Sequence, residues 1–192
     1  MHDPSGRVVD GRGGIAVDPH RALRMILIGP GGLTAIDAWV TVDAWRFAVP
    51  ALKLVRRGLS VDAKEARRLP IGFLRWWFLA PLDGNLLWAS IQPRRLDYVL
   101  RDPQATVEMS TAHEPPFLHL VAVRTEKGES EEIDSLARSL TPSPGDRATY
   151  VQRASGLRID VVVDGLGEAP PDARAFEDPD SAAGAGGAAE GS

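Results

Sequence analysis

Apolar and polar residues alternate from Leu157 to Asp164, and this period of two constrains the fold more than any other feature of the chain. Leu157, Ile159, Val161 and Val163 fall on one side, with Arg158, Asp160 and Asp164 on the other. That is the mark of a strand with one buried face. Short apolar segments recur at Leu23–Ile28, Leu86–Ile91, Leu96–Arg101, Ala105–Ser110, Leu118–Thr125 and Ala148–Gln152, punctuated by Gly, Pro and Asp. Such spacing predicts antiparallel sheet. Glu131–Leu140 fits either a short helix or an outer strand.

Thr34 to Val49 reads as a hairpin around Asp43-Ala44. A two-residue loop there sets Val42 opposite Trp45, Val40 opposite Phe47 and Ala38 opposite Val49, and directly paired residues share a face. Ile36, Ala38, Val40, Val42, Trp45, Phe47 and Val49 then line the core side. Asp37, Thr41 and Arg46 occupy the other side, with Trp39 as the exception. The turn lacks the glycine usual in such hairpins.

Two helices are expected between the strands. Val61–Leu69 is polar and stopped by Pro70. Ile71–Leu79 (IGFLRWWFL) is apolar almost all round, so it is either buried or lies against lipid. Its aromatic cluster, Phe73, Trp76, Trp77 and Phe78, allows three roles: a core plug, a cover over an apolar cavity, or an interfacial helix with Arg75 snorkelling.

Composition removes several function classes. The 192 residues include no cysteine, which excludes disulfides, thiolate catalysis and zinc sites built on Cys ligands. The net charge is −4, but the tail from Glu168 onward carries six acidic residues against Arg174, or −5, leaving the body at +1. A body so nearly neutral offers little counterion-release affinity, and no nucleic-acid partner is expected. Met1–Asp10 has neither a basic n-region nor an apolar h-region. The most apolar run, Ile71–Leu82, is interrupted by Arg75 and Pro81 and falls short of the roughly 20 residues of a spanning helix. After Gly165 the chain turns to Pro, Gly, Ala and acid, so 167–192 is expected to be a disordered tail behind a single domain, 1–166.

Catalytic patterns are weak. His113-Glu114 begins like a zincin motif, but Pro115-Pro116 follow and no second His sits one turn on. The simpler expectation is a loop His at 113 and a strand His at 119. Gly11-Arg12-Gly13-Gly14 lacks the Lys-Ser or Lys-Thr and the helix of a phosphate loop. No G-x-S-x-G elbow is present, and Glu131, Glu132 and Asp134 read as a solvated charged face. No enzyme, metal site or cofactor is expected.

Arg21 to Gly58 (RALRMILIGPGGLTAIDAWVTVDAWRFAVPALKLVRRG) resembles the middle of the lipoprotein-carrier superfamily, which includes the periplasmic lipoprotein carrier and its outer-membrane receptor. The likeness is one of order. A strand ends in Gly-Pro-Gly-Gly and leads to an apolar strand, a tight turn at Val42-Asp43-Ala44, and a strand ending at Pro50 before a basic stretch. Leu69-Pro70-Ile71-Gly72 stands at the entry to the helical plug, and Gly156-Leu157-Arg158-Ile159 at the entry to the last strand.

The resemblance covers about 7–165 and implies an α+β, mostly antiparallel β fold: an unclosed half β-barrel with helices covering the concave face. It further implies an apolar cavity for an acyl chain or lipoprotein, with possible contact to a membrane surface, in the periplasm or on the periplasmic face of the outer membrane. Ile36, Ala38, Val40, Trp45, Phe47, Phe73, Trp77 and Phe78 are the lining residues it points to. The family's signal sequence or lipidated cysteine is not found here, and its first helix and a strand or so would be missing before Arg21. The contrasting expectation is a structural or interaction protein in which the same faces fill a core.

Overall fold

A computed structural model describes residues 8, 10–19, 21–59, 66, 69–79, 84–101, 105–138 and 143–181, with backbone alone at 77 and 79. The fold is mostly antiparallel β, in two unclosed sheets. The chain divides into two compact units, 10–81 with 169–192, and 1–9 with 82–168.

The first unit holds a five-stranded meander of β1 (Arg12–Asp18), β2 (Ala22–Ile28), β3 (Thr34–Thr41), β4 (Ala44–Val49) and β5 (Leu54–Leu59). Gly31 and Gly32 take the positive φ that the β2–β3 turn requires. The β3–β4 hairpin differs from its expected register. Val40 pairs with Trp45 and Ala38 with Phe47, two residues away from the pairing of a loop at Asp43-Ala44. No residue of 41–44 takes the positive φ that a two-residue loop needs. Instead the Thr41 hydroxyl accepts from the Ala44 N–H at 2.9 Å and the Asp43 N–H at 3.2 Å, holding a wider turn. A slip of two preserves the faces, so Ile36, Ala38, Val40, Trp45 and Phe47 stay on the core side and are buried. Val42 is the casualty: it sits in the turn, 50% exposed.

Ile71–Leu74 forms one α-helical turn, α1, and continues as a π-helical turn over Arg75–Leu79. It contacts β2 and β3 and buries Ile71, Phe73 and Leu74. The helix expected at Val61–Leu69 falls mostly outside the described residues.

The second unit is a seven-stranded meander of β6 (Asn85–Gln92), β7 (Arg95–Arg101), β8 (Thr106–Glu114), β9 (Phe117–Glu126), β10 (Glu129–Ala137), β11 (Arg147–Gln152) and β12 (Leu157–Val162). The segment undecided between helix and outer strand is β10, which lies inside the sheet between β9 and β11. Its turn, Lys127-Gly128, has positive φ at both residues, the geometry that suits a tight hairpin. Val107, Met109, Ala122, Ile133, Ala148, Tyr150, Leu157 and Ile159 form its buried face.

The segment expected to be disordered from Gly167 contains a 3-10 turn, Ala173–Phe176, and is hydrogen-bonded to the five-stranded sheet as far as Asp180. Asp178 and Asp180 meeting Arg57, and the Phe176 carbonyl meeting Trp39, make those bonds, pairings that composition alone does not reveal. Residues 182–192 lie outside the described residues.

Candidate functional site

Five of the eight residues expected to line a hydrophobic site meet on one face of the five-stranded sheet. Val40 pairs with Leu23 and Trp45, Ala38 with Met25 and Phe47, and Ile36 with Leu27. Ala38 and Val40 are 0% exposed. Phe73 is buried on α1, and its ring meets the half-buried Phe78 edge-on, with centroids 6.5 Å apart at 73°. The Trp77 side chain lies outside the described residues. The expected set omits Leu23, Met25, Ile71 and Leu74, all buried. For Leu23 and Met25 the signal was available, since they alternate on β2 in phase with Ile36, Ala38 and Val40 on β3.

Trp45 carries a buried polar atom on this face. It pairs with Gly58 on β5, and a Cβ at Gly58 would stand 2.6 Å from the indole ring. The ring therefore rests where β5 has no side chain. Trp45 is 2% exposed, and its Nε1 has no hydrogen-bond partner among the described residues. Leaving such a donor unsatisfied costs about 1–3 kcal/mol.

The opposite face is charged. Arg24 donates to both oxygens of Asp37 at 3.0 Å, and Arg46 Nη1 donates to Asp37 Oδ2 at 3.2 Å. Arg46 Nε lies 3.1 Å from Asp180 Oδ1, an ion pair rather than an aligned hydrogen bond. Arg57 grips Asp178 through two bonds of 2.9 and 3.0 Å and also donates to Asp180. Trp39, the exception in the sequence pattern, is buried here, and its Nε1 donates to the Phe176 carbonyl at 2.9 Å. The hydrogen bond from Arg57 holds the Asp178 carboxyl below its ordinary pKa.

Other chemistry-bearing residues are scattered. His113 lies in β8 rather than in a loop, so both histidines are strand residues. His119 faces carboxylates with both ring nitrogens, Asp134 at 2.9 Å and Glu114 at 3.7 Å. No cluster of three or more metal-binding side chains occurs among the described residues. The charged run of β10 is not one solvated face. Glu132 pairs with Arg153, whereas Glu131 turns to the buried side, beside Gln152 and Tyr150. Burial, and then Glu131, push the Tyr150 hydroxyl pKa well up.

No family model, curated protein or solved structure matches this chain.

Proposed function

We propose that the protein is a non-enzymatic binder of an acyl chain or similar amphiphile, held between the apolar face of the five-stranded sheet and the helix Ile71–Leu79. By the resemblance already drawn, it would serve lipid or lipoprotein traffic in the cell envelope, at or near a membrane surface. The observation that carries this is the Trp45 N–H, which has no partner among the described residues and lies on a face that β2 to β4 line with apolar side chains. An acyl chain provides methylenes, each contributing roughly 0.8 kcal/mol on burial. Its ester or carboxyl oxygen provides the acceptor that Trp45 lacks. The π-helical turn beside α1 supports a functional role for this helix, since such turns are frequent at functional sites.

The contrasting reading is an interaction protein with a filled core. The complete burial of Ala38, Val40, Ile71 and Leu74 favours it.

A fluorescent fatty-acid probe separates the two. In the carrier reading the probe binds the purified full chain and natural acyl lipids displace it. Trp45→Phe, which removes the N–H, then weakens probe binding about two- to tenfold, the net value of one hydrogen bond. Trp77→Leu alters probe affinity by more than it alters the thermal midpoint. A probe that does not bind the native protein, with both substitutions lowering stability alone, establishes the filled core.

A further inference from the structure

The charged face of the five-stranded sheet is a second surface, independent of the apolar one. On β2 to β5 it presents Arg24, Arg46 and Arg57 against a single carboxylate, Asp37. Three guanidinium groups and one carboxylate leave this patch two positive charges in excess. The tail supplies the two missing carboxylates, Asp178 and Asp180.

The fit is specific as well as electrostatic. Arg57 takes Asp178 in the two-bond fork that guanidinium and carboxylate favour. Trp39 fixes a backbone carbonyl two residues earlier, at Phe176. The segment is preshaped for this: Asp178 Oδ1 accepts from the Asp180 N–H at 3.0 Å, and the Asp178 carbonyl accepts from the Ser181 hydroxyl at 2.7 Å. Yet the ion pairs are largely exposed, at 42% for Arg57 and 44% for Asp180. Exposed pairs of this kind contribute little each, so the tether adds to what the Trp39 hydrogen bond and the Arg46 pair supply.

We propose that this face is a binding surface for an extended acidic segment of a partner protein, one with an Asp-x-Asp pair, and that residues 172–181 occupy it in cis as a competitor. The partner segment would place its carboxylates on Arg57 and Arg46 and a preceding carbonyl on Trp39. Exchange of one acidic segment for another costs the sheet nothing in core packing.

The test uses the full chain and a fluorescein-labelled peptide of the tail's own sequence, DARAFEDPDS. Asp178→Asn with Asp180→Asn in the protein frees the face. The peptide should bind this variant about tenfold more tightly than the unaltered chain, since the tethered competitor is gone. Arg57→Ala in the same background should abolish the gain, as should 0.5 M salt through screening. A second measurement covers any loss of fold in the variants. On the unaltered chain, excess unlabelled peptide should reduce hydrogen-exchange protection of the Ala175 and Ser181 amides. Equal peptide affinity in the two proteins, or unchanged amide protection, overturns the proposal. So does a freed variant that binds phosphatidylglycerol vesicles but not the peptide, which would make the face a lipid-headgroup surface.

Discussion

The two sheets distribute charge in opposite ways. In the five-stranded sheet, Leu23, Met25, Ile36, Ala38, Val40, Trp45 and Phe47 share one face, while Arg24, Asp37, Arg46 and Arg57 share the other. In the seven-stranded sheet, Arg124, Glu131 and Gln152 lie on the same side as buried Met109, Ile133 and Tyr150. Gln152 donates to Glu131 at 3.3 Å, and Arg124 donates to Glu126 at 2.9 Å. An apolar guest laid on that second face would strip water from charged groups, at a cost far above that of burying hydrocarbon. On the first face the one charged partner within the strand pairing is Arg56, exposed on the edge strand opposite Phe47, so a guest laid on β2 to β4 would strand no charge. Segregation of charge, rather than hydrophobicity as such, is why the five-stranded sheet is the better candidate for a greasy ligand.

The largest expected effect tests that segregation. Val40→Asp places an unpaired carboxylate at a fully buried position. It should cost about 4–5 kcal/mol or prevent folding. Thr41→Asp points to the charged side, where an aspartate can also accept from the Ala44 N–H as Thr41 does, and should cost less than about 1 kcal/mol. Equal losses in urea denaturation would mean the two faces are not segregated.

The second effect belongs to the seven-stranded sheet and appears at alkaline pH. Tyr150 has its folded pKa raised above the ordinary 10.0 by burial and then by Glu131. For an acid whose folded value is raised, the unfolded chain ionises first. The stabilisation is therefore complete below pH 10 and drains away as pH rises beyond it. Each pH unit above 10 should remove about 1.4 kcal/mol until the folded value is reached. Tyr150→Phe should not show this component in a pH series of thermal midpoints. Parallel losses in the two proteins would show that Tyr150 is not held in a sheltered site.

Much of this organisation was legible in the residues, and the misses have physical causes. The β3–β4 faces follow from alternation alone, because a register slip of two leaves parity untouched. The register itself depended on a Thr41 side chain binding its own turn, which pattern does not encode. Leu54–Leu59 read only as a basic stretch because it is an edge strand. Its Arg56 and Arg57 are the kind of charge such edges carry. β10 resisted assignment because Ile133 is its one buried residue. The candidate face was visible residue by residue, but the role of Trp39 was not, since its partner, Phe176, lies 137 positions away.

A third, smaller effect probes the junction of Trp45 with the edge strand. Gly58→Ala adds a Cβ at 2.6 Å from the indole, so either the ring or β5 must move. Overpacking of this kind costs about 1–3 kcal/mol, and tryptophan emission should shift as the indole is displaced. An equally stable variant with shifted emission would show that Trp45 has room to move, which would itself favour a space beneath the helix; unchanged emission would mean that β5 gives way instead.

The smallest effect concerns the tail and appears at the acid end. Asp178 has its folded pKa lowered, first by the hydrogen bond from Arg57 and then by the Asp180 N–H. For a carboxylate with a depressed folded value, the contribution is present above the ordinary 3.8 and is lost as pH falls through the depressed value. Docking of 172–181 should therefore persist at neutral pH and fail on acidification. Asp178→Asn should mimic that failure at pH 7, costing no more than about 1 kcal/mol because the pair is exposed. The apolar face should be indifferent to both changes. A fatty-acid probe that binds the unaltered chain at pH 7 should bind Asp178→Asn with the same affinity, while hydrogen exchange at the Ala175 and Ser181 amides accelerates. A coupled loss of probe binding would mean that the two faces of the five-stranded sheet communicate through its strands and that their separation, the basis of the whole comparison, does not hold.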